Sequence, residues 1–133
     1  MKARPKIGLS NELHITVEAK HCIDFASGGM PTVFSTPHLI GLLERTARES
    51  LAPLLDDSER TVGVEVDIRH LAPTPLGAKV VLATRVIHTE GSFVTFHVEA
   101  RDAHEVIARG VHKRAIIQVD GFARRVARKQ ATL

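Results

Sequence analysis

The sequence predicts an α+β fold, with one antiparallel five-stranded sheet curled around a single long central helix. Three features predict it. Residues 36–51 place apolar side chains at helical spacing. One segment before that stretch and four after it alternate apolar and polar residues with period two, as half-buried strands do. The breaks between the last four segments are mostly short, so their strands are antiparallel neighbours. A lone apolar helix must cover something, and the apolar face of one sheet is the economical solution.

The first strand is set by Leu13, Ile15, Val17 and Ala19, which alternate with His14, Thr16, Glu18 and Lys20. Ser27-Gly28-Gly29-Met30-Pro31 then breaks the chain. The helix follows, with Thr36 as N-cap and Pro37 at the first helical position, and frays near Pro53 before the polar turn Asp56-Asp57-Ser58-Glu59. Val62, Val64, Val66 and Ile68 mark the second strand, and the breaker-rich residues 71–77 end it. A third strand covers residues 78–89, with Val80, Leu82 and Val86 on one side. Glu90-Gly91 reads as a tight hairpin turn. Val94, Phe96 and Val98 set the fourth strand, Asp102-Ala103-His104 turns the chain, and residues 105–119 form the fifth. Strand, long helix, then four strands is the order of the hotdog fold. The outer face retains Val81 and Ile87, so a homodimer is expected, with further pairing to a tetramer left open.

Composition fits one domain spanning residues 1–133, with its core in about 10–122 and a basic tail in 123–133. Its 133 residues are 44% hydrophobic and 25% charged, enough for a core and too apolar for global disorder. No apolar run approaches the roughly 20 residues that cross a bilayer, so no membrane partner is expected. Met1-Lys2-Ala3-Arg4-Pro5 lacks an apolar run behind its charges and is not a secretory signal. The lone Cys22 excludes an internal disulfide and suits a reducing cytoplasm. Net charge is +3, partly from Arg124-Arg125-Val126-Ala127-Arg128-Lys129. That run suits an anionic partner or simply a solvated terminus. With no Trp or Tyr to stack on bases, and no zinc-finger or phosphate-loop motif, no nucleic-acid partner is expected.

Glu44 is the first candidate for chemistry. Ile40, Leu43, Ala47, Leu51 and Leu54 share one helix face, and Glu44 falls inside it, whereas Arg45, Arg48 and Glu49 point away. A buried carboxylate costs several kcal/mol unless compensated, so an acid there is paired or working. His70 continues the even-numbered face of its strand and should point inward at the strand end. It suits proton transfer, or else is a core histidine bonded to a backbone carbonyl. Thr36 stands at the helix start, where unpaired N–H groups can hold an oxyanion and the hydroxyl can meet substrate. Simple N-capping is its alternative. Hydroxyl, carboxylate and imidazole together suit acyl transfer. The nucleophile elbow G-x-S-x-G is absent, and no histidine or carboxylate spacing predicts a metal site.

Phe34-Ser35-Thr36-Pro37-His38-Leu39-Ile40-Gly41-Leu42-Leu43-Glu44, Gly63, and His70-Leu71-Ala72-Pro73-Thr74-Pro75-Leu76-Gly77 resemble the hotdog thioesterases related to fluoroacetyl-CoA thioesterase. Residues 110–117 and the basic ending after Phe122 fit as well. The resemblance implies a catalytic set of Thr36, Glu44 and His70, with Gly63 near the reacting acyl group and Arg114 near the ligand. It also implies sites at a dimer interface, with coenzyme A entering between subunits as part of the substrate and no separate cofactor. The phenylalanines of that enzyme's lid have no counterpart in Ser27-Gly28-Gly29-Met30, which speaks against fluoroacetyl selectivity but not against thioester hydrolysis. The expected activity is therefore hydrolysis of a small acyl-CoA. A hotdog hydratase or dehydratase, or a non-catalytic acyl-CoA-binding protein, are the alternatives. Lys113 and Arg114, on opposite strand faces, are candidates for coenzyme A phosphates or for exposed edge charges.

Overall fold

The computed structural model describes residues 1–133. Strand β1 (Ser10–Thr16) leads through a 3-10 turn at Ala19–His21 to helix α1 (Thr36–Leu51), which a second 3-10 turn at Ala52–Leu54 closes. Strands β2 (Glu59–His70), β3 (Lys79–Glu90), β4 (Phe93–Arg101) and β5 (Val106–Gln118) follow, then helix α2 (Val119–Gln130). The five strands form one sheet in the order β1-β3-β4-β5-β2, with every neighbouring pair antiparallel. This is the expected α+β architecture. No helix is long and apolar enough to cross a membrane.

The core lies between α1 and the inner face of the sheet. Leu39, Leu43, Ala47 and Leu51 are fully buried on the helix, and Val80, Leu82, Val86, Phe96 and Val98 are fully or almost fully buried beneath it. Each such large side chain contributes about 1.5–3 kcal/mol through removal from water. The buried stripe is rotated from the one read in the sequence. Leu39 and Thr46 are buried and Ile40 only half-buried, so Glu44 flanks the stripe instead of lying inside it. Its side chain is 38% exposed, and the full penalty of a buried carboxylate does not arise.

Ser35, not Thr36, is the N-cap of α1. Its side chain accepts from the His38 backbone N–H, which moves Thr36 and Pro37 one position into the helix. Thr36 is thereby released from capping.

Strand β2 departs from simple alternation. A bulge between Gly63 and Glu65 inserts one residue and reverses the facing of the strand. Before it, Glu59 and Thr61 point inward and are buried; beyond it, Ile68 and His70 point inward and are half-buried. Val64 and Val66, expected in the core, are 49% and 42% exposed. β1 starts earlier and ends sooner than expected, and Val17 is buried beyond its end. The β3–β4 hairpin turns at Gly91, whose φ of +58° favours glycine. The basic tail is not extended chain: its charges lie on α2, whose Val119, Phe122 and Val126 are partly exposed along the opposite side.

Candidate active site

The sequence-derived residues fall into two groups on the inner surface of one chain. At the start of α1, Thr36 Oγ1 and His70 Nδ1 share a hydrogen bond of 2.8 Å. Capping by Ser35 leaves the Thr36 hydroxyl free for it, and the end of β2 brings the imidazole there. His70 Nε2 is buried and has no hydrogen-bond partner. Burial holds this imidazole below the ordinary histidine range. A neutral ring with an unused nitrogen is a poised proton acceptor. It lines a hollow of about 310 Å³ with Ile23, Phe34, Thr36 and Pro73. A second hollow of about 560 Å³ opens on the other side of Thr36, bordered by Cys22, Phe25 and His38. Phe25, 64% exposed, is an aromatic side chain at this mouth. Ser27, Gly28, Gly29 and Met30 are all exposed.

The second group surrounds Glu44. Helical rise puts it about 12 Å along α1 from Thr36. Its Oε2 lies 3.5 Å from Arg114 Nη1 and 4.0 Å from His112 Nε2. Gly63 forms the floor: a Cβ there would sit 2.5 Å from Glu44 Oε2. The absent side chain is what lets the carboxylate lie against β2. Thus Thr36 meets His70, and Glu44 meets Gly63 and Arg114, but no contact within one chain joins Glu44 to His70.

Arg114 is neither an exposed edge charge nor free to reach a surface phosphate. It is 5% exposed, and its Nε and Nη2 donate to Thr61 Oγ1 and Thr61 O, each at 2.9 Å. The pairing of Gly63 with Arg114 across the β2–β5 ladder turns it inward. Lys113 points outward, 3.6 Å from Glu65 and over the Phe93 ring.

The residue that sequence reasoning missed is His112. It is fully buried, with Nδ1 2.8 Å from the Glu65 carbonyl and its ring stacked near Phe96. Burial lowers its affinity for a second proton, and the Arg114 charge adds to that. The available signal was parity: in residues 110–114, Gly110, His112 and Arg114 share one strand face.

The family described as FlK, fluoroacetyl-CoA-specific thioesterase, matches residues 17–120. A fluoroacetyl-CoA thioesterase from Streptantibioticus cattleyicolor is 32% identical over 99 residues, which cover 74% of this chain and 71% of that one. A solved structure of the fluoroacetyl-CoA thioesterase FlK superposes with a TM-score of 0.87 at 26% identity, covering 96% of this chain and 98% of that one. A hot-dog-like protein from Thermanaerovibrio acidaminovorans gives 0.86 at 25% identity over 92% and 91% of the two chains. With the match spanning both groups of site residues, the chain belongs to the FlK family of hotdog-fold thioesterases.

Proposed function

We propose that this protein hydrolyses a small acyl-CoA thioester to the free acid and coenzyme A, as a cytoplasmic homodimer. In this reading each site combines Thr36 and His70 of one protomer with Glu44 of the other. The observation that carries it is the separation within one chain of an unpartnered imidazole nitrogen and a half-exposed carboxylate. The carboxylate has its protein contacts on one side and an open side remaining, and the imidazole nitrogen, on a ring that lines a hollow, has no protein partner. β2 is an edge strand whose exposed Val64 and Val66 lie close to Gly63 in sequence, a surface suited to a second copy.

The chemistry follows from these groups. Water attacks the thioester carbonyl while His70 Nε2 takes its proton. The carbon–sulfur bond then breaks, and the imidazolium returns the proton to the departing thiolate. Thr36 fixes the other ring nitrogen and thereby the ring orientation. Glu44 holds the attacking water, and the Thr36 backbone N–H, the donor left over by the Ser35 cap and by Pro37, faces the developing oxyanion. A thioester is electrophilic and its thiolate leaves readily, so this route uses no metal or separate cofactor. Gly63 and Arg114 lie at the acyl end because both touch the region of Glu44. The exposed Ser27-Gly28-Gly29-Met30 stretch supplies no aromatic cover, and Phe25 at the mouth is itself 64% exposed, so fluoroacetyl-CoA and acetyl-CoA should be hydrolysed with similar kcat/KM.

Thiol release across acyl-CoA chain lengths tests the activity. Saturated substrates should release thiol. An enzyme that only hydrates an enoyl-CoA, or binds acyl-CoA without turnover, would refute the proposal. Single turnover in heavy-oxygen water should leave Glu44 unlabelled; label in its carboxylate would replace water attack with a covalent acyl intermediate.

A further inference from the structure

We propose that His112 is a positioning residue of this site: an imidazole carrying its proton on Nδ1, whose Nε2 lone pair fixes the Arg114 guanidinium that holds Glu44. The inference rests on the reading of Glu44 as the working carboxylate and adds a residue that reading does not contain.

The hydrogen-bond directions leave one arrangement. The Glu65 carbonyl can only accept, so His112 Nδ1, 2.8 Å away, carries the hydrogen. Arginine can only donate, so Arg114 Nη1, 3.3 Å from His112 Nε2, donates to a nitrogen bearing a lone pair. The ring is therefore neutral, in agreement with its complete burial. Protonating Nε2 would place a second cationic donor against Arg114 and remove the acceptor that Nη1 uses.

This order controls the guanidinium. Thr61 takes Nε and Nη2 and sets its plane. Nη1 is then shared between His112 and the open side, where Glu44 Oε2 lies 3.5 Å away. His112 itself has little freedom, because Phe96 lies along its face and Glu65 holds its far nitrogen. Its Cε1 would be 3.3 Å from a Cβ on Gly63, so the ring also forms part of the wall against which the carboxylate rests. A purely structural histidine would need only the bond to Glu65. Its Nε2 faces two charged groups of the site instead.

Two substitutions separate these roles. His112→Asn keeps a donor near the Nδ1 position but is too short to reach Arg114. His112→Gln places an acceptor near the Nε2 position and gives up the bond to Glu65. With folding verified by thermal melts, His112→Asn should lower kcat by at least about tenfold with a smaller change in KM, and His112→Gln should recover most of it. Nitrogen-15 spectra of histidine-labelled wild-type protein near pH ~7 should show His112 as the Nδ1–H tautomer. A charged ring or an Nε2–H tautomer overturns the proposal even if neither variant folds. Glu44→Gln serves as the control. If it is inactive while His112→Asn keeps full activity, the inference fails alone. If Glu44→Gln is fully active, the reading of Glu44 fails and takes the inference with it.

Discussion

The two ends of the site are built on opposite principles. At the Thr36 end, one hydrogen bond holds the imidazole, and its second nitrogen is buried without a partner. At the Glu44 end, Thr61, Glu65, His112 and Arg114 form a connected network, and only the carboxylate retains an open side. The first end is poised to accept a proton; the second is fixed to present a negative charge. Reactivity is thus placed where hydrogen bonding is incomplete, and rigidity where it is saturated. In the proposed reading neither end makes an acyl-transfer site by itself. That division is the physical argument for joining two chains.

The sharpest way to break this comparison is to disable each end and mix the products. Glu44→Gln and His70→Ala should each lower kcat by about 10² or more. Glu44→Gln and His70→Ala proteins, unfolded together and refolded at equal concentration, should regain about a quarter of wild-type activity. Half of the dimers are then mixed, and each mixed dimer has one of two sites intact. A site contained within one chain gives no recovery, since every site then carries one defect.

A next step contrasts two glycines. Gly63→Ala puts a methyl group 2.5 Å from Glu44 Oε2, the end of a flexible side chain. The carboxylate can swing away and the His112 ring, 3.3 Å from the added methyl, must give by only a few tenths of an ångström, so activity should fall about tenfold or more with a smaller loss of thermal stability than at Gly110. At Gly110 the added Cβ meets the Asp67 carbonyl oxygen and lies 2.7 Å from Ile68 Cα, both backbone atoms of β2. Gly110→Ala should therefore destabilise the fold by about 1–3 kcal/mol, read as a lowered melting temperature. Equal stability losses at the two positions would mean that Glu44 is more tightly held than its 38% exposure indicates.

Much of this was legible in the sequence, and the parts that were not have specific causes. Period-two alternation gave β3 and β4 because their inward residues, Val80, Leu82, Val86, Val94, Phe96 and Val98, keep a constant parity against the core. It failed in β2, where the bulge beside Gly63 reverses facing and the isolated glycine inside the strand is its one local sign. Apolar Val64 and Val66 made the strand look uniformly inward although one chain leaves both exposed. Thr36, read from its place at the helix start, and His70, read from strand parity, do meet. Their separation from Glu44 was not legible, because spacing along a helix and along a strand does not say how the two elements register. His112 was hidden by its bland surroundings, since a histidine in a strand has no signature until its neighbours across the sheet are known. The charge run of helix α2 reads as a tail unless it is set beside the Val119, Phe122 and Val126 spacing that accompanies it.

Thr36 tests the poised end more gently. Thr36→Val keeps the shape and removes the hydroxyl that orients His70, and kcat should fall about tenfold, in line with loss of one hydrogen bond to a reacting group. Thr36→Ser keeps the bond and should cost much less. Equal losses in the two variants would mean that the methyl group, packed at the mouth of the hollow, matters more than the hydrogen bond.

The smallest effect expected is a displacement along the pH axis. Burial lowers the pKa of His70 from the 6.5 of a free imidazole, so the base stays unprotonated in mildly acidic solution. The acidic limb of kcat/KM should accordingly lie below pH 6.5. Stability has the same sign. Below pH 6.5 the unfolded chain binds protons that the half-buried His70 and the buried His112 still refuse, so stability is complete above that pH and falls as pH drops toward their lowered values. The two histidines can then be separated. His112→Gln should weaken the acid sensitivity of folding while leaving the acidic limb of the rate in place, because in the proposed mechanism only His70 exchanges protons with substrate. If the limb moves with His112 instead, proton transfer belongs to the networked end of the site, and the division of labour between the two ends is reversed.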